Sequence, residues 1–297
     1  MTSKERNVIV LIMSVGEYAK NYTARWLVKI GGKNNIVVCL PSCFKGNAES
    51  YERQGLRVYI YDETKYINDS FEYFGFRPRN CGGIGRQGIA EAVEKFGDDK
   101  TIILELDDDT SALSVAKMVD GKLKRKRIDE WSSLEAIINA EMRFYEKTGI
   151  ECAGFTGATP PPEEGIVANR KIFNNFIMIK GNRLNFDGFK ALCSDDYRFN
   201  MMNNLLNARP MISHKYLMIC FVNKQGDRND GNAPLYNSDF SWKKSYALKM
   251  IAPWAVSQRL KREGNRYLFR ENILPSKLYP PICVADKSGG LIGEVKG

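Results

Sequence analysis

Through its first third the chain alternates two patterns of apolar residues. Short unbroken apolar runs, NVIVLIMSV (7–15), NIVVCLP (35–41), LRVYIYD (56–62) and TIILELDDD (101–109), have the length and β-branched content of buried strands. Between them lie segments with helical spacing. These are YAKNYTARWLVKIG (18–31), NAESYERQG (47–55) and RQGIAEAVEKFG (86–97), the last with Ile89, Ala90 and Val93 on one face. Gly31-Gly32 and Gly97 supply the stops, and Pro41 ends the second strand. Strands alternating with helices predict an α/β fold: a Rossmann-type, mostly parallel central sheet with helices on both faces. In such sheets ligands bind outside the carboxyl ends of the strands.

The second half is less regular. DGKLKRKRID (120–129) reads as a hairpin or excursion, and SSLEAIINAEMRFYEKTG (132–149) as a helix. Three prolines make TGATPPPEEGIVANRK (156–171) a loop. NNFIMIKGNRL (174–184) reads as a strand and turn, and YLMICFVN (216–223) as a late strand. SDDYRFNMMNNLLNAR (194–209) has a helix start: Ser194 as cap, then acids in the first turn. NKQGDRNDGNAPLYN (223–237) is a polar, glycine-bearing loop, and a basic, aromatic tail follows. The organisation expected is one main domain over residues 1–240 and a C-terminal extension over 241–297 packed on it.

The strand at 101–109 poses the chemical question. It ends in Asp107, Asp108 and Asp109, whose adjacent charges repel and weaken the fold unless something compensates them. On an extended chain Asp107 and Asp109 point the same way, so they can share a Mg²⁺ or Mn²⁺ that also takes diphosphate oxygens and water. Such a metal neutralises charge on a leaving diphosphate. The competing reading is an acidic turn capping a following helix, for which three adjacent acids are more than a cap requires.

Composition narrows the class without naming it. The chain has 297 residues, 43% hydrophobic and 27% charged, which is ordinary globular composition. It contains no apolar run of membrane-spanning length, and Glu17 interrupts the first apolar stretch too early for a signal peptide. The 7 cysteines form no Cys-x-x-Cys pair, and the 1 histidine, His214, has no cysteine cluster beside it; a structural zinc site is therefore not expected, and a cytoplasmic location is. The net charge of +9 suits a polyanionic partner: nucleic acid, an anionic membrane or a phosphorylated small substrate. The run Lys122 to Arg127 can grip phosphates, although charge runs are more often solvated faces.

The stretch GGIGRQGIAEAVEKFGDDKTIILELDDD (82–109) resembles the nucleotide-sugar glycosyltransferases of the GT-A fold, especially the inverting family 2. The shared order is a Gly-rich stretch, an Arg followed by an amide residue, an apolar helix, and a strand ending in Asp-x-Asp. The resemblance implies a donor site formed by Arg86, Gln87, Ser14, Asp107 and Asp108, and a metal held by Asp107 and Asp109. His214 would be a further metal ligand, as a late histidine is in some members; a packed or exposed structural histidine is the commoner case. A second match, NNFIMIKGNRLNFDGFKALCSDDYRFNMMNNLLNARP (174–210), is similar to the family's acceptor segment. By that similarity the acidic pair Asp195-Asp196 is catalytic, with Asp196 as general base: a carboxylate must take the proton of an acceptor hydroxyl attacking the anomeric carbon. The alternative is that both acids merely favour a helix N-terminus. The implied cofactors are Mn²⁺ or Mg²⁺ and a nucleoside diphosphate sugar, most simply a UDP-sugar.

The sequence departs from family 2 at two places. Its second strand ends VVCLPSC, with no acid where members read uracil, and SVGEYAKNYTARW (14–26) replaces the common Tyr-Asn motif. A narrower resemblance fits these departures: the phage and kinetoplastid DNA-base glycosyltransferases, including the group that makes base J. These share an Asp-Asp-Asp strand end, an acidic pair before a helix and a late Gly/Asn loop, here DRNDGNAPLYN (227–237). The tail WKKSYALKMIAPWAVSQRLKREGNRYLFR (242–270) suits a DNA contact, cations on phosphates and aromatics on bases, or else an amphipathic helix packed on the domain. This resemblance implies sugar transfer to a 5-hydroxymethylpyrimidine in DNA, in the host cytoplasm if the chain is phage-encoded. Rival readings are the same chemistry on a polysaccharide, lipid-linked sugar or protein, a nucleotidyltransferase, and a non-catalytic nucleic-acid binder.

Overall fold

The computed structural model describes residues 6–66, 82–120, 122–148, 152–156, 166–168, 175–181, 210–220, 246, 249, 253–254, 256–263, 266–273, 282–285 and 291–295. Its centre is a ten-stranded sheet. The strands are β1 (Val8–Met13), β2 (Ile36–Pro41), β3 (Arg57–Tyr61), β4 (Ile102–Asp107), β5 (Thr110–Val119), β6 (Lys122–Arg127), β7 (Cys152–Thr156), β8 (Ile166–Ala168), β9 (Asn175–Ile179) and β10 (Pro210–Cys220). They run in the order β3-β2-β1-β4-β9-β7-β10-β5-β6, with β8 beside β10. The half β3-β2-β1-β4 is parallel throughout; beyond it β9, β5 and β6 pair antiparallel.

The α-helices whose bounds the described residues give are α1 (Tyr22–Lys29), α2 (Ala48–Glu52), α3 (Gly82–Lys95) and α4 (Trp131–Thr148). They cover both faces. Trp26 and Leu27 of α1, Tyr51 of α2 and Leu134, Ile138 and Met142 of α4 join Val10, Ile12, Leu104 and Leu106 in one apolar layer. Ile84, Ile89, Ala92 and Val93 of α3 pack on Ile9, Leu11, Cys39 and Ile103 in the other. Successive strand residues thus alternate between layers, which is why these strands read as unbroken apolar runs. The α/β expectation from the sequence holds.

Three local readings change. The α3 helix begins at Gly82, before Arg86, and its buried face carries Ala92 rather than the half-buried Ala90. Within the proline-bearing loop, Ile166–Ala168 pairs with β10, because this proline-free, partly β-branched triplet can use its backbone on an available strand. The tail is helical at Tyr246 and Lys249 but does not carry the amphipathic helix considered from its sequence through to Arg270. It forms β11 (Val256–Glu263) and β12 (Arg266–Ile273), an antiparallel hairpin, and β13 (Ile282–Ala285) with β14 (Leu291–Val295) makes a second. The β5–β6 hairpin expected at 120–129 is present, and Asp120 turns it with φ +52° immediately before a glycine in sequence.

Candidate functional site

The chain leaves β1 toward β2 and β3 on one side, then crosses to place β4 on β1's other side. The crevice between the carboxyl ends of β1 and β4 is therefore a topological switch point, where open α/β sheets receive ligands. Ser14 follows β1 there, and Asp107 ends β4 beside Met13.

The chain turns at Asp108 and Asp109 and enters β5 at Thr110, so no helix follows for the acids to cap. The strand alternation that aimed Asp107 and Asp109 alike stops at Asp107. The turn is instead pinned by α1. The backbone N–H groups of Tyr22 and Thr23 donate to the Asp108 carbonyl at 2.9 and 3.3 Å. The Thr23 hydroxyl donates to the Asp107 carbonyl at 2.5 Å and accepts from the Thr110 N–H at 2.9 Å. Asn21 caps α1, its side-chain oxygen accepting from the Ala24 N–H at 2.8 Å.

Asp107 and Asp108 diverge in their partners. Asp108 accepts from the Ser14 hydroxyl at 2.8 Å. Ser14 Oγ also lies 3.2 Å from the hydroxyl of Tyr51, which donates to the Gly16 carbonyl at 2.8 Å and accepts from Asn21 Nδ2 at 3.1 Å. Burial pushes the Tyr51 phenol up to about 12, with Asp108 and Glu17 adding to the rise and the Ser14 and Asn21 hydrogen bonds opposing it.

Asp107 faces α3. Its Oδ1 accepts from Arg86 Nη2 at 3.3 Å, while Arg86 Nε lies 3.7 Å from Oε1 of Glu105, two residues earlier on the same face of β4. Burial raises the Asp107 carboxyl well above the usual carboxylate range; Arg86 pulls it down, and Glu105, Asp109 and Asp108 raise it further.

Glycine spacing in α3 makes this approach possible. A Cβ at Gly85 would fall 1.9 Å from Met13 Sδ, and one at Gly88 2.4 Å from the Tyr61 ring. The helix backbone therefore lies against β1 and β3, and Arg86, between the two glycines, is buried over β4. Beside it, the Nε2 of Gln87 is buried with no hydrogen-bond partner among the described residues. A buried amide donor costs free energy unless something accepts from it, so it suits a ligand acceptor.

The donor set suits a hard divalent cation: carboxylates at a strand end, where burial first and then the neighbouring Glu105, Asp109 and Asp108 raise the proton affinity of Asp107. Among the described residues no three His, Cys, Asp or Glu side chains converge as a ready-made cage, so ligand oxygens and water would complete the shell.

Of the residues singled out in the sequence, Ser14, Arg86, Gln87, Asp107, Asp108 and Asp109 come together here. His214 lies in β10, where Cys220 rather than His214 stands opposite Thr110 at the acidic turn. His214 is six residues back along that strand, and register alone does not carry it to Asp107 and Asp109. Asp195 and Asp196, the helix expected at 194–209 and the polar loop at 223–237 lie outside the described residues.

The sequence reading missed four contributors. Asn21, Thr23 and Tyr51 gave no signal, because their partners are remote in sequence. Glu105 did: it is a carboxylate inside an otherwise apolar run. Glu63 is a further surprise. It follows β3, yet accepts from Ser42 Oγ at 2.7 Å and the Cys43 N–H at 3.2 Å, supplying an acid where β2 itself ends without one. Burial raises its carboxyl, but those hydrogen bonds outweigh burial and hold it below its ordinary value.

No family model matches the sequence, and no match to a curated protein was found. Solved structures similar to the chain include glucosyl-3-phosphoglycerate synthase from Mycobacterium tuberculosis in complex with Mn²⁺, UDP-glucose and phosphoglyceric acid. It is 8% identical with a TM-score of 0.47, over 92% of this chain and 91% of that one. Its complex with Mn²⁺, UDP and glucosyl-3-phosphoglycerate is 9% identical with a TM-score of 0.46, over 90% and 88%. TarS residues 1–349 from S. aureus is 11% identical with a TM-score of 0.38, over 71% of this chain and 60% of that one. All three scores lie below 0.5, so the site stands on its own geometry.

Proposed function

We propose that the chain is a metal-dependent glycosyltransferase that moves a sugar from a nucleoside diphosphate sugar, UDP the simplest nucleotide, to a hydroxyl acceptor with inversion. The observation that carries this reading is the acidic turn 107–109 at the β1/β4 switch point, with the buried cation Arg86 reaching it from α3. A divalent cation on Asp107 and Asp109 would neutralise charge on the departing diphosphate. Arg86 and the Gln87 amide would offer donors to the donor's oxygens, with Ser14 and Asp108, joined by their hydrogen bond, completing the donor site. In the same reading Asp196 takes the acceptor's proton as the new glycosidic bond forms and the bond to diphosphate breaks.

For the acceptor we propose a 5-hydroxymethylpyrimidine in DNA. Its support is the net charge of +9 and the exposed cations of β6 and β11, and it is the finer and separable part of the reading. Incubation with labelled nucleotide sugars, Mn²⁺ and DNA with or without hydroxymethylated bases tests both parts. Asp109→Asn should abolish transfer in a protein that still folds. Asp196→Asn should lower turnover by about two to four orders of magnitude with donor affinity kept. Full activity in excess chelator would sink the metal reading; transfer to a small sugar or lipid but never to DNA would sink the acceptor.

A further inference from the structure

Glu105 is a charged residue at a position built for an apolar one. It sits mid-strand in β4, between Leu11 of β1 and Phe176 of β9, on the face that Ile103, Cys39 and α3 make apolar. Its side chain is 0% exposed. An ionised carboxylate there costs several kcal/mol unless a cation compensates it. The cation is Arg86, and the pairing has a direction: Glu105 lies at the Nε side, and the terminal Nη2 reaches outward to Asp107. One guanidinium thus spans two carboxylates of the same strand face, the inner one sealed in the core and the outer one in the crevice.

We infer that Glu105 is the positioning residue for Arg86, and that it serves the donor site by holding the guanidinium's inner edge while the outer edge meets the ligand. The inference rests on the glycosyltransferase reading for the identity of that ligand, but its physics does not. An arginine held only by Asp107 would follow that carboxylate and compete with any cation placed on it. With Glu105 as a second anchor, Asp107 can turn to a cation while Arg86 keeps its place and presents Nη2 to a phosphate oxygen. Gly85 and Gly88 set the height of α3 that makes the anchor reachable.

A double-mutant cycle tests this by direct binding rather than turnover. Glu105→Gln keeps the shape and removes the charge. Mn²⁺-dependent UDP binding, measured by calorimetry, should weaken about tenfold or more in Glu105→Gln, but less than about twofold when the same change is made in an Arg86→Gln background. Exchange of the Arg86 Nε–H with solvent, followed by NMR without ligand, should accelerate about tenfold or more in Glu105→Gln. Glu105→Asp should restore part of both. Equal losses of UDP affinity in the two backgrounds, or unchanged affinity and exchange, would overturn the positioning role and leave the transferase reading standing. A wild-type protein that binds no UDP with Mn²⁺, yet still shows the exchange effect, would overturn the transferase reading and leave the positioning role. Should Glu105→Gln fail to fold, Glu105→Leu in the Arg86→Met background replaces the pair by apolar groups of similar size. Glu105→Asp then carries the test of function: weaker Mn²⁺-dependent UDP binding together with faster Arg86 Nε–H exchange supports the positioning role, and wild-type values for both overturn it.

Discussion

Tyr51 illustrates how much a single side chain decides at this site. Its hydroxyl meets Ser14, Asn21 and the Gly16 carbonyl, so it ties the β1 loop, the α1 cap and α2 into one network that ends on Asp108. Its phenol stands at about 12 in the fold against an ordinary value of 10.0. The neutral form is thus favoured by folding: its contribution is fully present below pH ~10 and is lost as pH rises toward ~12. That preference corresponds to about 2–3 kcal/mol. Denaturant stability should therefore fall between pH ~10 and ~12, and Tyr51→Phe should flatten that fall. At neutral pH the same variant should cost about 1–3 kcal/mol, because Asn21 and Gly16 lose their partner. An unchanged alkaline limb in Tyr51→Phe would mean that other tyrosines and lysines set it.

Among the elements, α3 is the one whose placement the site cannot do without. Amphipathic spacing buries Ile89, Ala92 and Val93, but depth comes from glycine. Gly88→Ala improves helix propensity by about 1 kcal/mol, yet its methyl would stand 2.4 Å from the Tyr61 ring. An aromatic ring packed between strand and helix cannot yield as a flexible chain end would, so the helix must lift. Gly88→Ala should lose about 1–3 kcal/mol by thermal or chemical denaturation and should weaken Mn²⁺-dependent UDP binding, since Arg86 rises with the helix. Combining it with Tyr61→Ala should recover the binding more than the stability. A fully stable, fully binding Gly88→Ala would show that α3 tolerates a different height.

At the scale of the whole molecule, two strands among the described residues carry groups of exposed cations. Lys122, Lys124, Arg125, Lys126 and Arg127 are exposed on β6, the strand at one edge of the sheet, and Arg259, Lys261 and Arg262 on β11. A lysine-rich edge also discourages pairing with another sheet, so the charge of β6 has a structural use of its own. The β11 hairpin offers a cleaner test of the polyanion reading. Its alternation puts Arg259 and Lys261 on one face and Arg262 on the other. Arg259→Gln with Lys261→Gln should weaken binding to duplex DNA and reduce the slope of log affinity against log salt by about two. Arg262→Gln should reduce it by about one or not at all. Unaltered slopes in both would remove β11 from any nucleic-acid contact.

The sequence by itself determined the α/β class, the strands of the parallel half, and the acidic strand end with an arginine-bearing glycine-rich helix before it. Those features are local: an apolar run reports that both faces of a strand are buried, and a charge at its end reports where burial stops. Tertiary structure decided everything that depends on which segments meet. Asp108 is taken by Ser14 across 94 positions, and Arg86 is divided between Glu105 and Asp107. An acid from beyond β3 fills the end of β2, and β10 brings Cys220 rather than His214 to the turn. The tail's cations and aromatics allow a helix along its length, yet Val256–Glu263 and Arg266–Ile273 pair as a hairpin. No periodicity encodes these pairings, because sheet order and register are set by how whole strands and helices pack, and only then do the polar groups find their partners.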